Sequence, residues 1–175
     1  MLLKRSIVGI SLSAIIVCSY ADPLNDAVAA VNRKDYQTAV RLLEPLAKAG
    51  DPIAQTRLGL LYYHGHGVRE SDALALQWFE RAARKGLAEA QFHLGNMYAY
   101  GLAPLAAGTD PNRLAAQWYF EAARQGNADA QYSLGILFLT GSGVTQDPAE
   151  ATKWIERAAA LGHADAAVYL KGETK

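Results

Sequence analysis

An internal repeat constrains the fold of this chain more than any other feature of its sequence. Trp78, Trp118 and Trp154 are each followed by an apolar residue, by a pair of alanines four and five positions on, and by a glycine eight positions on. These glycines continue a series that starts at Gly50, with spacings of 36, 40 and 36 residues. A period of this size is typical of solenoids, in which each repeat is one supersecondary unit packed on its neighbours.

A second block recurs between the tryptophan segments and has the spacing of an amphipathic helix. It consists of an Ala-Gln pair, a Leu-Gly pair, an aromatic residue and a glycine, and its three copies start at Ala54, Ala90 and Ala130. Apolar residues at positions i, i+4, i+7 and i+8 fall on one face of a helix, and the tryptophan segments show a similar pattern. The sequence therefore predicts two helices in each repeat.

Short motifs mark where these helices begin and end. Asp51-Pro52, Asp110-Pro111 and Asp147-Pro148 each place an N-cap carboxylate before a proline that suits the first helical turn. Glu150 is expected to complete a capping box with Asp147. The glycine that closes each repeat is expected to end the second helix in a left-handed conformation.

Three further glycines, Gly59, Gly95 and Gly135, fall inside the first helices. Glycine in a helix interior costs about 1 kcal/mol relative to alanine, so its recurrence at one position of every copy needs a reason. A close approach of two helices supplies one. We expect the bulky Trp or Tyr of the paired helix to occupy the space that a side chain would need.

These boundaries divide the chain after residue 21 into five parts. Trp118 follows Gly101 by 17 residues, against 13 in the other two copies, so the middle copy is expected to carry a longer loop within residues 102–108. The last part keeps the register of a first helix and ends in polar residues, which suits a solvent-facing cap. The predicted parts are a degenerate helical pair at 22–50, repeats at 51–86, 87–126 and 127–162, and a C-terminal capping helix at 163–175.

The first 21 residues have the organisation of a secretory signal peptide. Lys4 and Arg5 precede a mostly apolar stretch at residues 7–17, which is too short to span a membrane. Ser19 and Ala21 supply small residues at the −3 and −1 positions of a cleavage site. We therefore expect cleavage after Ala21, no stable membrane insertion afterwards, and a periplasmic or secreted protein.

At its two blocks the sequence resembles the Sel-1-like repeat family of tetratricopeptide-like solenoids, in an exported bacterial form. The family pattern joins Leu-Gly-x-x-Tyr-x-x-Gly-x-Gly-Val to Trp-Tyr/Phe-x-x-Ala-Ala-x-x-Gly, and residues 51–162 carry three copies, the middle one with the longer loop. The resemblance implies an all-α fold, a right-handed α-solenoid of antiparallel helix pairs. Such repeats mainly build scaffolds, so it also implies a non-catalytic module that binds another protein.

In tetratricopeptide-like arrays the first helix of each repeat lines a concave groove, on the side away from its packed Leu and Tyr. The corresponding positions here are rich in aromatic and aliphatic residues and carry few charges, a composition typical of interface hot spots. The predicted partner-binding residues are Leu60, Tyr63, His64, Glu89, Phe92, Asn96, Tyr100, Asp129, Tyr132, Ile136 and Leu139, and Ile53, Thr56 and Ala99 occupy further groove positions.

Two interpretations of this set stay open. The aromatic residues either grip an extended peptide or a partner helix, or they pack against neighbouring repeats. Asn96 is expected to hydrogen-bond the backbone of a bound peptide. Because the groove positions lack clusters of basic residues, we do not expect recognition of a charged C-terminus.

Charge and motif content argue against other classes of function. Lysine and arginine total 17 and aspartate and glutamate total 17, so the chain lacks the basic excess of a nucleic-acid binder. The single cysteine, Cys18, provides neither a disulfide framework nor a multi-cysteine metal site. No P-loop, dinucleotide fingerprint or nucleophile motif occurs, so we expect no cofactor and no catalysis.

The four histidines are expected to have structural or solvent-exposed roles. His64 and His66 lack a clear third ligand and are predicted to be ordinary surface residues instead of a metal site. His93 is predicted to pack between repeats, and His163 to cap a helix or to be solvated.

Three alternative functions remain as hypotheses. The first is an immunity or inhibitor protein that neutralises an effector in the periplasm, the second is a hydrolase directed at cell-wall material, and the third is a structural part that stacks end to end. No acid–base pair supports the hydrolase. The polar C-terminus argues against open-ended stacking, so we expect a monomer.

Overall fold

The computed structural model describes residues 22–173. All of the described elements are α-helices, and each helix packs on the next one along the chain, which is the solenoid of helix pairs that the repeat predicts. The signal peptide predicted at residues 1–21 and the last two residues lie outside the described residues. None of these helices combines the length and the apolar composition needed to cross a bilayer. The helices are α1 (Pro23–Asn32), α2 (Tyr36–Ala49), α3 (Pro52–His64), α4 (Asp72–Arg84), α5 (Ala88–Ala99), α6 (Pro111–Arg124), α7 (Ala128–Thr140), α8 (Pro148–Ala160) and α9 (Ala164–Glu173).

The predicted caps begin the helices. The carboxylates of Asp51, Asp110 and Asp147 accept hydrogen bonds from backbone N–H groups of the first helical turn, at 2.8, 2.9 and 3.0 Å. Only half of the predicted capping box forms, because the Asp147 N–H donates to the Phe138 carbonyl at 2.9 Å and the Glu150 carboxylate accepts from Lys153 Nζ at 3.0 Å. The four glycines that close the repeats all have positive φ, as the sequence predicts: 101° at Gly50, 88° at Gly86, 86° at Gly126 and 90° at Gly162.

The interior glycines lie where the two helices of one repeat approach each other closely, as predicted. The predicted neighbour, a Trp or Tyr of the paired helix, is correct only in the middle repeat, where it is Tyr119. In each repeat the space beside the glycine is filled by the residue that follows the tryptophan, and in the other two repeats that residue is Phe79 or Ile155. A Cβ added to the glycine would lie 2.7 Å from the Phe79 ring at Gly59, 2.5 Å from the Tyr119 ring at Gly95 and 2.6 Å from Ile155 at Gly135.

The glutamine of each Ala-Gln pair joins its repeat to the one before. This side chain is buried in all three copies, and its Nε2 donates to a backbone carbonyl near the end of the preceding second helix. A buried amide is stable only when it is hydrogen-bonded, so the recurring glutamine fixes the register between repeats. The bonds are Gln55 to Ala47 at 3.0 Å, Gln91 to Ala83 at 3.3 Å and Gln131 to Ala123 at 2.9 Å.

The longer loop of the middle repeat folds back onto its own helices. The backbone N–H groups of Leu102 and Ala103 both donate to the carbonyl of Met97, at 2.9 and 3.2 Å. Ala103 is 7% exposed and belongs to the hydrophobic core that α4 and α5 share. The longer loop therefore extends the core between the first and middle repeats, and Leu102 packs against the same core.

Candidate functional site

The predicted groove residues lie on a surface formed by the first helices α3, α5 and α7, here called the first-helix face. Helices α3 and α5 contact each other directly across the repeat boundary. Arg57 on α3 and Glu89 on α5 form an ion pair with 3.3 Å between Nη1 and Oε1. Two clefts open on this part of the face, and Leu60 and His64 line both of them.

The apolar cleft lies between the first and second repeats and has a volume of about 170 Å³. It brings together four predicted groove residues from two helices, and the loop residue Leu102 joins them. An apolar cavity of about 150 Å³ accommodates a benzene ring, so this cleft has the size of one large apolar side chain. Its lining residues are Leu60, Tyr63, His64, Phe79, His93, Asn96, Met97 and Leu102.

The cationic cleft lies on the N-terminal side of the apolar cleft and also measures about 170 Å³. The His66 ring stacks on Tyr36 with 4.3 Å between centroids, and the His64 ring lies 5.4 Å from His66. Arg57 supplies the permanent charge. The lining residues of this cleft are Val31, Tyr36, Arg57, Leu60, Leu61, His64 and His66.

His93 forms the floor between α4 and α5 and packs between repeats, as predicted. Its imidazole stacks on the Phe79 ring with 5.1 Å between centroids and an interplanar angle of 22°. Burial, followed by the positive charge of Arg57, lowers the pKa of His93 to about 4. The imidazole is therefore neutral at neutral pH and contributes an uncharged, polar surface to the apolar cleft.

Asn96 is held in place by the second helix of its own repeat. The Tyr119 hydroxyl donates to Asn96 Oδ1 at 2.6 Å. Burial raises the pKa of Tyr119, so the phenol keeps the proton that it donates. Within residues 22–173 no acceptor is paired with Asn96 Nδ2, so this residue of the cleft lining keeps an unused hydrogen-bond donor.

Toward the C-terminus the predicted groove residues pack on their neighbours. The Tyr132 ring stacks on His163 with 4.4 Å between centroids, and Asp129 Oδ1 lies 3.5 Å from His163 Nε2. His163 in turn caps α9, because its Nδ1 accepts from the Ala166 N–H at 3.2 Å. Leu139 packs against the same core cluster as Tyr132.

The remaining groove positions differ in their exposure. Phe92 tilts against the Tyr119 ring at 5.9 Å, and Tyr100 is 69% exposed. Neither of these residues, nor Ile136, lines either cleft. The structure therefore gathers Leu60, Tyr63, His64 and Asn96 into one place and leaves the rest of the predicted set distributed along the face.

Thr56 was expected at a groove position, and that prediction is wrong. The side chain is completely buried, and its hydroxyl donates to the Pro52 carbonyl at 2.8 Å within α3. The equivalent residues Phe92 and Tyr132 are larger and only half-buried, whereas the short Thr56 side chain turns back onto its own helix and does not reach the surface. By contrast, Ile53 is 40% exposed and Ala99 is half-buried.

Sequence reasoning missed Arg57 and Leu102 as site residues. Arg57 stands alone in the sequence, and only the stacking of repeats brings it to Glu89; His64 and His66 come from the end of its own helix and the turn that follows. In the described part of the chain, no three His, Cys, Asp or Glu side chains gather at a possible metal site. The arrangement is suited to binding, since it offers apolar space, a hydrogen-bond donor and a cation.

Comparisons with known proteins agree with this architecture. The Sel1 repeat family matches residues 31–51, 52–87, 88–127 and 128–163. The chain is similar to the crystal structure of a Sel1 repeat protein from Oxalobacter formigenes, with 34% identity and a TM-score of 0.76 over 83% of this chain and 57% of that one. A protective antigen of uropathogenic Escherichia coli with an SLR fold matches at 29% identity and a TM-score of 0.70, over 80% of this chain and 30% of that one.

One curated relative is the ERAD-associated E3 ubiquitin-protein ligase component HRD3A of Arabidopsis thaliana, 39% identical over 62 residues. That match covers 35% of this chain and 9% of the relative, so the chain spans only a small part of that protein's length. It also spans less than two thirds of the two solved structures above. Since the matched repeats cover more than half of its residues, the chain belongs to the Sel1 repeat family.

Proposed function

We propose that this chain is an exported, non-catalytic module that binds another protein through its first-helix face. Sel1 repeats generally act as protein-interaction modules, and their solenoid is typically a scaffold without catalytic activity. Beyond this general role, we propose that the first-helix face is the binding surface and that the protein is exported. A partner seated on this face would contact two or more repeats at once.

The observation that carries the proposal is the apolar cleft. It joins Leu60 and Tyr63 of one repeat to Asn96 of the next, so its shape depends on the stacking of repeats. It also combines apolar and aromatic walls with an amide donor, the combination by which small sites fix the position of a bound group. A concave apolar site with few polar groups is the usual anchor point for a partner side chain.

Capture from an extract of the source organism tests the surface. The full chain is compared with a Tyr63→Ala, Tyr100→Ala double variant and with Phe120→Ala, a matched aromatic truncation on the second helix α6. A protein that binds the unmodified chain and the Phe120→Ala variant, but not the double variant, supports the proposal. Equal capture by all three would place the interface elsewhere.

Export rests on residues 1–21 and needs a test of its own. The full chain is expressed in a bacterium, and its location and intact mass are measured. The proposal predicts a periplasmic or secreted product whose first residue is Asp22. A cytoplasmic product that retains Met1 would contradict export and would leave the binding surface as proposed.

A further inference from the structure

The geometry points to a partner of defined chemistry: a segment with an acidic side chain, whose carboxylate binds Arg57 in the cationic cleft, and a nearby large apolar side chain that fills the apolar cleft. This inference rests on the proposed function and specifies what the first-helix face recognises. The acidic residue belongs to the interior of the partner chain, where the main chain continues along the face.

Arg57 has unused capacity to donate hydrogen bonds. Its Nε is buried and donates to no acceptor among residues 22–173. Its contact to Glu89 is a single 3.3 Å approach of Nη1, whereas the guanidinium carries five N–H donors in a planar fork. A buried donor without a partner is costly, and a carboxylate is the acceptor that matches the guanidinium.

The surroundings of Arg57 suit an anion as well. The imidazoles of His64 and His66 and the phenol of Tyr36 line the same cleft and offer additional hydrogen-bond donors. Glu89 is the carboxylate that contacts Arg57, and its side chain is 38% exposed. A ligand carboxylate can therefore share the guanidinium with Glu89 or take its place.

The two clefts are adjacent, and this adjacency predicts the second half of the motif. Leu60 and His64 form a wall common to both, so side chains a few residues apart in an extended segment reach both sites. The volume of about 170 Å³ suits a leucine, methionine or phenylalanine side chain. Asn96 Nδ2 is available to donate to a carbonyl of the same segment.

A display library of random 12-residue peptides, fused through their C-termini so that no free chain end is offered, tests this inference. The full chain is the target. We expect selected peptides to share an Asp or Glu close to a Leu, Met or Phe. The best of them is then synthesised with an amidated C-terminus, together with a variant in which the acid is replaced by its amide, and the affinities are measured by fluorescence anisotropy.

A double-mutant cycle assigns the contact. Arg57→Gln and the amide peptide are each expected to weaken binding about tenfold, the effect of a hydrogen bond to a charged group. Their combination is expected to weaken it no further, because each change removes the same interaction. Arg124→Gln on α6 is the matched control and leaves the affinity unchanged.

Glu89→Gln gives a result that a folding defect cannot imitate. Removing the competing carboxylate is expected to strengthen binding of the acidic peptide severalfold and to leave the amide peptide unaffected. Additive losses in the cycle, weaker binding to Glu89→Gln, or a selection that yields no acidic motif would each overturn the inference.

These outcomes are separable from a failure of the proposed function. If the selected peptides lack an acidic residue but still lose binding to the Tyr63→Ala, Tyr100→Ala variant, the acidic motif is refuted and the first-helix face remains the proposed binding surface. If the peptides bind every variant equally, or if the library yields no binding peptide, the motif is refuted. Only the capture experiment then tests whether the first-helix face is the binding surface.

Discussion

The packed interior and the first-helix face are built from the same three repeats but use them in different ways. In the interior, each repeat places the same kind of residue at the same position: a glycine beneath a bulky side chain and a glutamine that bonds the preceding repeat. On the face, the equivalent positions differ. Leu60, Asn96 and Ile136 occupy one of them, and Arg57, His93 and Ser133 another.

Under the proposed function, this difference separates the residues needed for folding from those needed for binding. Repeating positions meet the same neighbours in every unit, so the packing of a solenoid selects them all in one way. Face positions meet a different neighbour in each unit, and the open cleft beside Arg57 contrasts with the stacked Tyr132 and His163. Substitutions in the interior should therefore change stability, and substitutions on the face should change binding.

The largest expected effect is at an interior glycine. Gly95→Ala gains helix propensity but places a Cβ 2.5 Å from the Tyr119 ring, and overpacking of this kind costs about 2 kcal/mol. Gly172→Ala in α9 is the matched control, since nothing lies within 4 Å of its Cβ, and it should be neutral or slightly stabilising. Urea unfolding of both variants measures the difference. Equal stabilities would remove close packing as the reason for the recurring glycine.

His93 lies at the border between the two regions and should make stability depend on pH. Its folded pKa of about 4 is below the unfolded value of 6.5, so the unfolded chain binds the proton more readily. Stability is therefore fully present above pH 6.5 and is lost progressively as the pH drops toward 4, by about 2 kcal/mol at about pH 5. Unfolding curves at pH 7, 5.5 and 4.5 measure the loss.

His93→Gln is the control for that titration, because it keeps a polar side chain and cannot gain a proton in this range. The variant should lose less stability than the unmodified chain between pH 7 and 4.5. Parallel pH profiles for the two proteins would contradict the lowered pKa.

A smaller effect is expected where one repeat lacks a hydrogen bond that another has. Gln91 Oε1 accepts from Gln125 Nε2 at 2.7 Å, whereas Gln131 Oε1 is buried and has no partner within the described residues. Leu161 occupies the position of Gln125 in the last repeat and is 55% exposed. Leu161→Gln should supply the missing donor and stabilise the fold by about 1 kcal/mol.

The reverse substitution sharpens that comparison. Gln125→Leu removes the existing bond and should cost about 1 kcal/mol in the middle repeat. Thermal unfolding of the two variants, measured together, shows whether the bond has the same value in both repeats. If Gln125→Leu stabilised the fold, the glutamine pair would make no net contribution to the middle repeat.

The smallest effect on stability is expected on the face itself. His64 is exposed, so His64→Ala should change the free energy of unfolding by less than about 0.5 kcal/mol. The same variant should weaken binding of an acidic peptide, since His64 lines both clefts. A large loss of stability would show that His64 has a packing role, as Tyr132 has.

Much of the fold could be predicted because its signals are local and recur. The Asp-Pro caps, the closing glycines and the spacing of the alanines each depend on a few neighbouring residues. The Ala-Gln pair recurs just as regularly, but its role as a hydrogen bond between repeats could not be predicted. The acceptor of each glutamine lies eight residues earlier, in the preceding repeat. The prediction that a large Trp or Tyr lies against the interior glycine is wrong at Gly59 and Gly135. There the neighbour is the residue whose position around the helix faces the glycine, whatever its size.

The candidate site was predictable only in part. Leu60, Tyr63, His64 and Asn96 follow from repeat register, and they do meet in one cleft. The same register placed Thr56 in the groove, but this short side chain bonds its own helix and is buried. Leu102 comes from an insertion that no register describes, so its place in the cleft could not be derived.

The sequence by itself determined a helical solenoid, its repeat length, its caps and the positions that form its first-helix face, because these follow from periodicity and the conformational preferences of single residues. Only the tertiary structure decided which face positions remain open and which are filled. It did so by bringing Arg57 to Glu89, Leu102 to the cleft that Leu60 lines, and Tyr132 to His163. Contacts between repeats depend on the shape and charge of two different side chains at once, and neither partner specifies the contact alone.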